Sequence, residues 1–60
     1  MSELSMLRLR WTDAVSEHFE IAQVAWRVTD GYSSETFDDA ETELDYMQRL
    51  MAKFDELRGA

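Results

Sequence analysis

The sequence contains no cysteine and no proline, and glycine occurs only at positions 31 and 59. Without cysteine the chain can form neither a disulfide nor a thiolate metal site. With no proline and a single interior glycine, Gly31, it offers few positions at which a helix would be interrupted. A chain of 60 residues makes at most one domain and buries only about 60% of the surface that it exposes when unfolded. We therefore expect it to gain stability by associating with another chain.

The sequence also lacks a long hydrophobic run and has few basic residues. No apolar stretch is long enough to cross a bilayer, and no charged and apolar leader precedes a small-residue cleavage site. These absences predict an unprocessed cytoplasmic protein that does not contact a membrane. The net charge of −7 argues against direct binding of nucleic acid or of an anionic membrane.

Apolar residues recur at helical spacing through two segments of similar length. In the first segment these positions, separated by steps of three and four, are Leu4, Leu7, Trp11, Ala14, His18, Ile21, Ala25 and Val28. In the second they are Phe37, Ala40, Leu44, Met47, Met51 and Phe54, with Leu50 and Leu57 widening the stripe. Such spacing is typical of amphipathic helices. We predict an all-α fold, an antiparallel two-helix hairpin in one domain, with helices over about 3–29 and 34–58.

The residues between the two segments favour a turn at 30–33. Gly31 can adopt the left-handed conformation that ends a helix. Ser33 can cap the next helix by accepting a hydrogen bond from the Thr36 amide, and Tyr32 can pack on Phe37 as a hydrophobic staple. Folding the helices about this turn predicts the pairs Val28–Phe37, Ala25–Ala40, Ile21–Leu44, His18–Met47, Trp11–Phe54 and Leu7–Leu57.

A second apolar row lies beside the first one on the amino-terminal helix. Together the two rows span an arc of about 160°, which is wider than one partner helix covers. We expect this face to pair with a second copy, giving a homodimeric four-helix bundle, or with another protein. The candidate interface residues are Trp11, Val15, Phe19, Ala22 and Trp26.

A different fold is possible if residues 6–11 form a strand. Their sequence, MLRLRW, alternates between apolar and polar residues in the manner of a short strand. The stretch DGYSSETF at 30–37 resembles the glycine-and-serine turn of the ribbon-helix-helix family. That resemblance implies a DNA-binding transcriptional regulator with Arg8 and Arg10 on its strand.

An acidic run at 35–45, ETFDDAETELD, contains six acids and no base. Its carboxylates could imitate a nucleic-acid backbone and occupy the groove of a nucleic-acid-binding protein. Alternatively, they form a solvated helix face that suits the helix dipole and solubility, which is the interpretation we favour. The candidate acidic-face residues are Glu35, Asp38, Asp39, Glu41 and Asp45.

The remaining residues with distinctive chemistry are better explained by packing. Val15 occupies the position at which a Glu-x-x-His metal motif would need an acid before His18, so we interpret His18 as a histidine at the edge of the core. Met47 and Met51 could bind Cu(I), but methionine at such positions more often fills a core. The sequence has no nucleophile–base pair or phosphate-binding loop. We predict no catalysis, no metal and no cofactor.

Taken with the size and charge, these patterns predict a small acidic module for binding proteins. Its role would be that of an adaptor, a chaperone-like subunit or an inhibitor, and its partners would be itself and a protein that the sequence does not identify. The nucleic-acid mimic and the ribbon-helix-helix regulator are the alternatives.

Overall fold

Three α-helices and one 3-10 turn form most of the chain in the computed structural model, which describes residues 2–32 and 34–59. Helix α1 spans Glu3–Glu17, α2 spans Phe19–Val28, the 3-10 turn spans Ser34–Thr36, and α3 spans Ala40–Gly59. No strand occurs in the described ranges, so the all-α prediction is confirmed. The two-helix hairpin is wrong, and residues 6–11, which the alternative fold needed as a strand, lie inside α1.

The helix predicted over 3–29 is interrupted at His18, whose φ of −137° and ψ of 59° are not helical. Hydrogen bonding continues on both sides, since the His18 amide donates to the Ala14 carbonyl and the Ala22 amide to the His18 carbonyl. A straight helix over 3–29 would be about 40 Å long, whereas the longest dimension of the folded chain is 31 Å. The interruption lets α2 fold back onto α3.

Two ion pairs show that α1 crosses α3 instead of running alongside it. Arg8 binds Glu43 at 2.6 Å and Arg10 binds Asp55 at 3.5 Å. Arg8 and Arg10 are neighbours on α1, but their partners are separated by about 18 Å along α3. The Arg10–Asp55 pair fits the predicted register, in which Trp11 meets Phe54. The Arg8–Glu43 pair does not fit it, so this part of the hairpin prediction fails.

Helix α2 does run antiparallel to α3, in a register that differs from the predicted one. Near its start, the His18 ring lies 6.0 Å from the Phe54 ring. Near its end, the Thr29 hydroxyl lies 2.9 Å from the Tyr46 hydroxyl. His18 therefore packs beside the residue that the hairpin assigned to Trp11, and the predicted His18–Met47 pair is wrong.

The core lies where α1 and α2 both meet α3. Its members are Leu7, Ala14, Ala22, Ala25, Tyr46, Met47, Leu50, Met51 and Phe54. Ala22 and Ala25 are 1% and 0% exposed, and their small side chains let α2 approach α3 closely. Because two helices pack on α3, its buried face is wide and includes Tyr46, whereas Ala40 of the predicted stripe is exposed. Among the described residues, no helix combines the length and the apolar character of a membrane span.

Helix α2 ends in a Schellman motif. The Gly31 amide donates to the Trp26 carbonyl at 2.8 Å, and the Asp30 amide donates to the Arg27 carbonyl at 3.3 Å. Gly31 has a φ of +63°, in the left-handed conformation that we predicted, and Asp30 has a φ of +78°. Asp30 takes the first left-handed position, and aspartate is one of the few residues that tolerate this conformation.

Helix α3 begins at Ala40, six residues later than predicted. The Asp39 carboxylate accepts a hydrogen bond of 2.7 Å from the Thr42 amide, which identifies Asp39 as the cap. This bond lowers the pKa of the Asp39 carboxyl. Ser33, the predicted cap, lies outside the described residues.

Phe37 lies before α3 instead of inside it, since the helix begins only at Ala40. Its ring packs edge-on against the Tyr32 ring at 5.8 Å and also contacts the Tyr46 ring at 5.5 Å. The predicted contact between Tyr32 and Phe37 therefore exists, but it closes the connection between α2 and α3 and does not flank a helix start at residue 34.

Candidate protein-binding surface

A shallow groove lies at the bend between α1 and α2, and we call it the apolar groove. Its volume is about 320 Å³, and the residues that line it are Trp11, Val15, Phe19, Ala22, Gln23 and Trp26. None of these residues is charged, and none belongs to α3. All five interface candidates predicted from the sequence line this groove, so the fold brings them together on one surface.

The side chains of the apolar groove differ in how far they reach into solvent. Ala22 forms the floor, because it is buried in the core. Phe19 is the first residue of α2, directly after the interruption at His18, and its side chain is 60% exposed. Trp11 and Val15 are half-buried. The surface therefore consists of a protruding aromatic ring beside an uncharged hollow.

Trp26, at one end of the apolar groove, is also fixed to the turn that follows α2. Its indole N–H donates to the Tyr32 carbonyl at 3.0 Å. The ring lies over Gly31, where an added Cβ would be 3.3 Å from the Trp26 Cη2 atom. Sequence reasoning predicted Trp26 only as an interface residue and missed this structural role.

A salt bridge between Arg8 and Glu43 joins α1 to α3. The Arg8 Nε and Nη2 atoms donate to the two Glu43 carboxylate oxygens at 2.8 and 2.6 Å. The Glu43 side chain is 9% exposed and that of Arg8 53%, and this hydrogen bonding raises the pKa of Arg8. Sequence reasoning missed the pair, although Glu43 lies one turn before Met47 on the buried face of α3, where a carboxylate needs a partner.

The five acidic candidates are exposed but lie on different elements of the fold. Glu35 lies in the 3-10 turn, Asp38 and Asp39 lie between that turn and α3, and Glu41 and Asp45 lie on α3. Asp39 caps α3, and Asp45 is 3.3 Å from Arg49 on the next turn. Two of the five thus already have a local structural partner.

The possible metal ligands named from the sequence lie in or beside the core. Met47 and Met51 are buried, as expected for residues that fill a core. His18 is half-buried beside Phe54. Within residues 2–32 and 34–59, no three acidic or histidine side chains are close enough to hold a metal ion.

Comparison of the chain with protein-family models, with curated proteins and with solved structures finds no match in any of the three. What the chain binds has therefore to be inferred from its own surface.

Proposed function

We propose that this chain is a small non-enzymatic module that binds other proteins through the apolar groove, and that its first partner is a second copy of itself. The observation that supports this most is the Phe19 side chain, 60% exposed on a surface without a charged residue. Such a module suits the role of an adaptor, a chaperone-like subunit or an inhibitor.

The energetic argument for a partner comes from the size of the exposed aromatic surface. Full burial of a side chain as large as Phe19 contributes about 1.5–3 kcal/mol. Folded domains have a total stability of only about 0.05–0.15 kcal/mol per residue. For a chain of 60 residues this is about 3–9 kcal/mol. Because Phe19 is 60% and Trp26 37% exposed, covering the rest of both would add about 1.5–3 kcal/mol, a substantial fraction of that stability.

The shape of the apolar groove favours a second copy as the occupant. A two-fold interface brings the same patch of each copy together, so a protruding group has to meet a hollow of the same surface. Phe19 protrudes, and the hollow between Trp11 and Trp26, with Ala22 as its floor, lies beside it. Aromatic side chains in such pockets dominate the binding energy of protein interfaces.

The distribution of charge supports the same arrangement. Residues 1–29 have a net charge of −1 and residues 30–60 have a net charge of −6. The apolar groove is lined only by residues of the first, nearly neutral part. Two copies that meet there avoid direct contact between their acidic parts. Because each copy has three helices, such a dimer would have six helices and would not be the four-helix bundle predicted from the sequence.

The two alternative functions have less support. The nucleic-acid mimic needs the acidic candidates to be available for recognition, but Asp39 and Asp45 already bind Thr42 and Arg49. The ribbon-helix-helix regulator needs a strand at residues 6–11, which lie within α1.

Sedimentation of two matched variants tests the proposal. Val24 is 48% exposed on the same helix as Phe19 but does not line the apolar groove. We expect the wild type and Val24→Gln to sediment as dimers at micromolar concentration, and Phe19→Gln to sediment as a monomer with unchanged helicity by circular dichroism. A wild-type monomer would exclude the second copy as partner, and a dimeric Phe19→Gln would exclude the apolar groove as the interface.

A further inference from the structure

A second and larger groove shares Trp11 and Trp26 with the apolar groove, and we call it the aromatic groove. Its volume is about 510 Å³, within the range of about 300–1,000 Å³ that is usual for small-molecule sites. Trp11, Trp26, Tyr32 and Phe37 form its walls, and the buried side chains of Met47 and Leu50 contribute to its lining. This surface can contact an aromatic or aliphatic body on several sides.

The edge of the aromatic groove holds one oriented cation, the guanidinium of Arg8. A guanidinium has five N–H donors, and Glu43 accepts one from Nε and one from Nη2. The three other donors have no acceptor among the described residues. Glu43 therefore fixes the orientation of the guanidinium and leaves its remaining donors available to a ligand.

We infer that the aromatic groove binds a small molecule with an apolar body and one carboxylate group. The body would pack between Trp11, Trp26 and Phe37, because aromatic rings stack favourably at such surfaces. The carboxylate would accept hydrogen bonds from Arg8, because the planar fork of a guanidinium matches a carboxylate. This site differs from the apolar groove and does not depend on the proposed dimer.

The net charge of −7 opposes the binding of an anion, but the charged residues that line the aromatic groove do not add to this opposition. Among the described residues that line the aromatic groove, Glu43 is the only acid, and Arg8 already neutralises it. Exposed acids farther away are screened by salt over about 10 Å at 0.1 M. An ammonium ligand would instead meet the remaining N–H groups of Arg8, which offer it no acceptor.

Binding can be followed by intrinsic fluorescence, because the chain has only two tryptophans and both line the aromatic groove. Three probes share one apolar body and differ in the head group, namely phenylbutyrate, phenylbutanol and phenylbutylamine. We expect the acid to bind about tenfold more tightly than the amine, with the alcohol in between. Tighter binding of the amine, equal binding of all three probes or no binding at all would overturn the inference.

Variants of the Arg8–Glu43 pair and a matched arginine sharpen the test. Arg8→Gln should remove the preference for the acid. Glu43→Gln keeps one oxygen that can accept from Arg8 and so hold it in place, and it should increase affinity for the acid by removing the competing negative charge. Arg10 is an exposed arginine on α1 that does not line the aromatic groove, so Arg10→Gln should bind like the wild type. If Arg8→Gln does not fold, Glu43→Gln still decides, since unchanged or weaker binding of phenylbutyrate would contradict the role of Arg8.

Discussion

Trp26 shows how single residues of this chain combine a structural and a surface role. It lines both the apolar groove and the aromatic groove, and its indole N–H donates a hydrogen bond to the Tyr32 carbonyl. Helical spacing predicted the surface role, because it depends only on the face of α2. The hydrogen bond depends on the left-handed conformations of Asp30 and Gly31, which turn the chain under the ring. Spacing alone contains no information about that path.

Replacing Gly31 with alanine should destabilise the fold. The φ of Gly31 is +63°, and an added Cβ would lie 3.3 Å from the Trp26 ring. We expect Gly31→Ala to lower the free energy of unfolding by about 1 kcal/mol or more, measured by urea denaturation. Gly59→Ala is the control, since a Cβ there would meet nothing within 4 Å, and it should leave stability unchanged or slightly higher. Equal stability of wild type and Gly31→Ala would contradict the left-handed turn.

The cap of α3 should make stability depend on pH. The Thr42 amide lowers the pKa of Asp39, so the folded state favours the carboxylate more than the unfolded state does. This contribution is present above the unfolded pKa of about 3.9 and is lost as the pH falls through the lower folded pKa. The wild type should therefore melt above Asp39→Asn at neutral pH, and the two should converge in strong acid.

Asp38→Asn is the matched control for the cap. It removes the same charge one residue earlier without touching the hydrogen bond between Asp39 and the Thr42 amide. Its melting temperature should depend on pH nearly as that of the wild type does. If both asparagine variants lose the same stability at every pH, the effect of Asp39 is one of net charge and not of capping.

At the scale of elements, the sequence predicts that the chain is helical, but it does not predict the number of helices or their ends. The apolar spacing continues through His18 without glycine or proline, so nothing local marks the interruption there. Tertiary packing accounts for the bend, because Ala22 and Ala25, which follow it, are buried in the core. The sequence predicted Ser33 as the cap of α3, whereas the hydrogen bond from the Thr42 amide identifies Asp39 as the cap. The local sequence pattern cannot show which residue caps a helix when tertiary contacts decide where that helix begins.

Enlarging Ala22 distinguishes the bent fold from the straight hairpin. Ala22 is 1% exposed in the core, so Ala22→Leu should overpack the core and lower stability by about 1–3 kcal/mol in urea denaturation. In the hairpin, Ala22 would lie on the open row, where leucine is tolerated. Val24→Leu, at a position 48% exposed on the same helix, should be nearly neutral. Wild-type stability of Ala22→Leu would favour the hairpin.

For the whole molecule, the separation of charge from apolar surface is the feature most relevant to binding. The acidic excess lies in residues 30–60, whereas the apolar groove is built from α1 and α2. The sequence predicted both the acidic run and the five interface candidates, because each depends on composition and helical spacing. It did not predict the aromatic groove, which requires α1, α2, α3 and the connection at Tyr32 and Phe37 to meet.

Salt and charge removal distinguish association through the apolar groove from recognition by the acidic residues. A triple variant, Asp38→Asn, Glu41→Gln and Asp45→Asn, removes three negative charges and keeps the cap at Asp39. If two copies meet at the apolar groove, their net charges of −7 repel each other, so salt should strengthen the wild-type dimer. The triple variant should then dimerise equally well or a few-fold more tightly, measured by sedimentation equilibrium at low and moderate salt. Its loss of the Asp45–Arg49 pair matters little, because exposed ion pairs contribute about 0–1 kcal/mol. A wild-type dimer that dissociates with salt, or a folded triple variant that no longer associates, would instead assign the interface to the acidic residues.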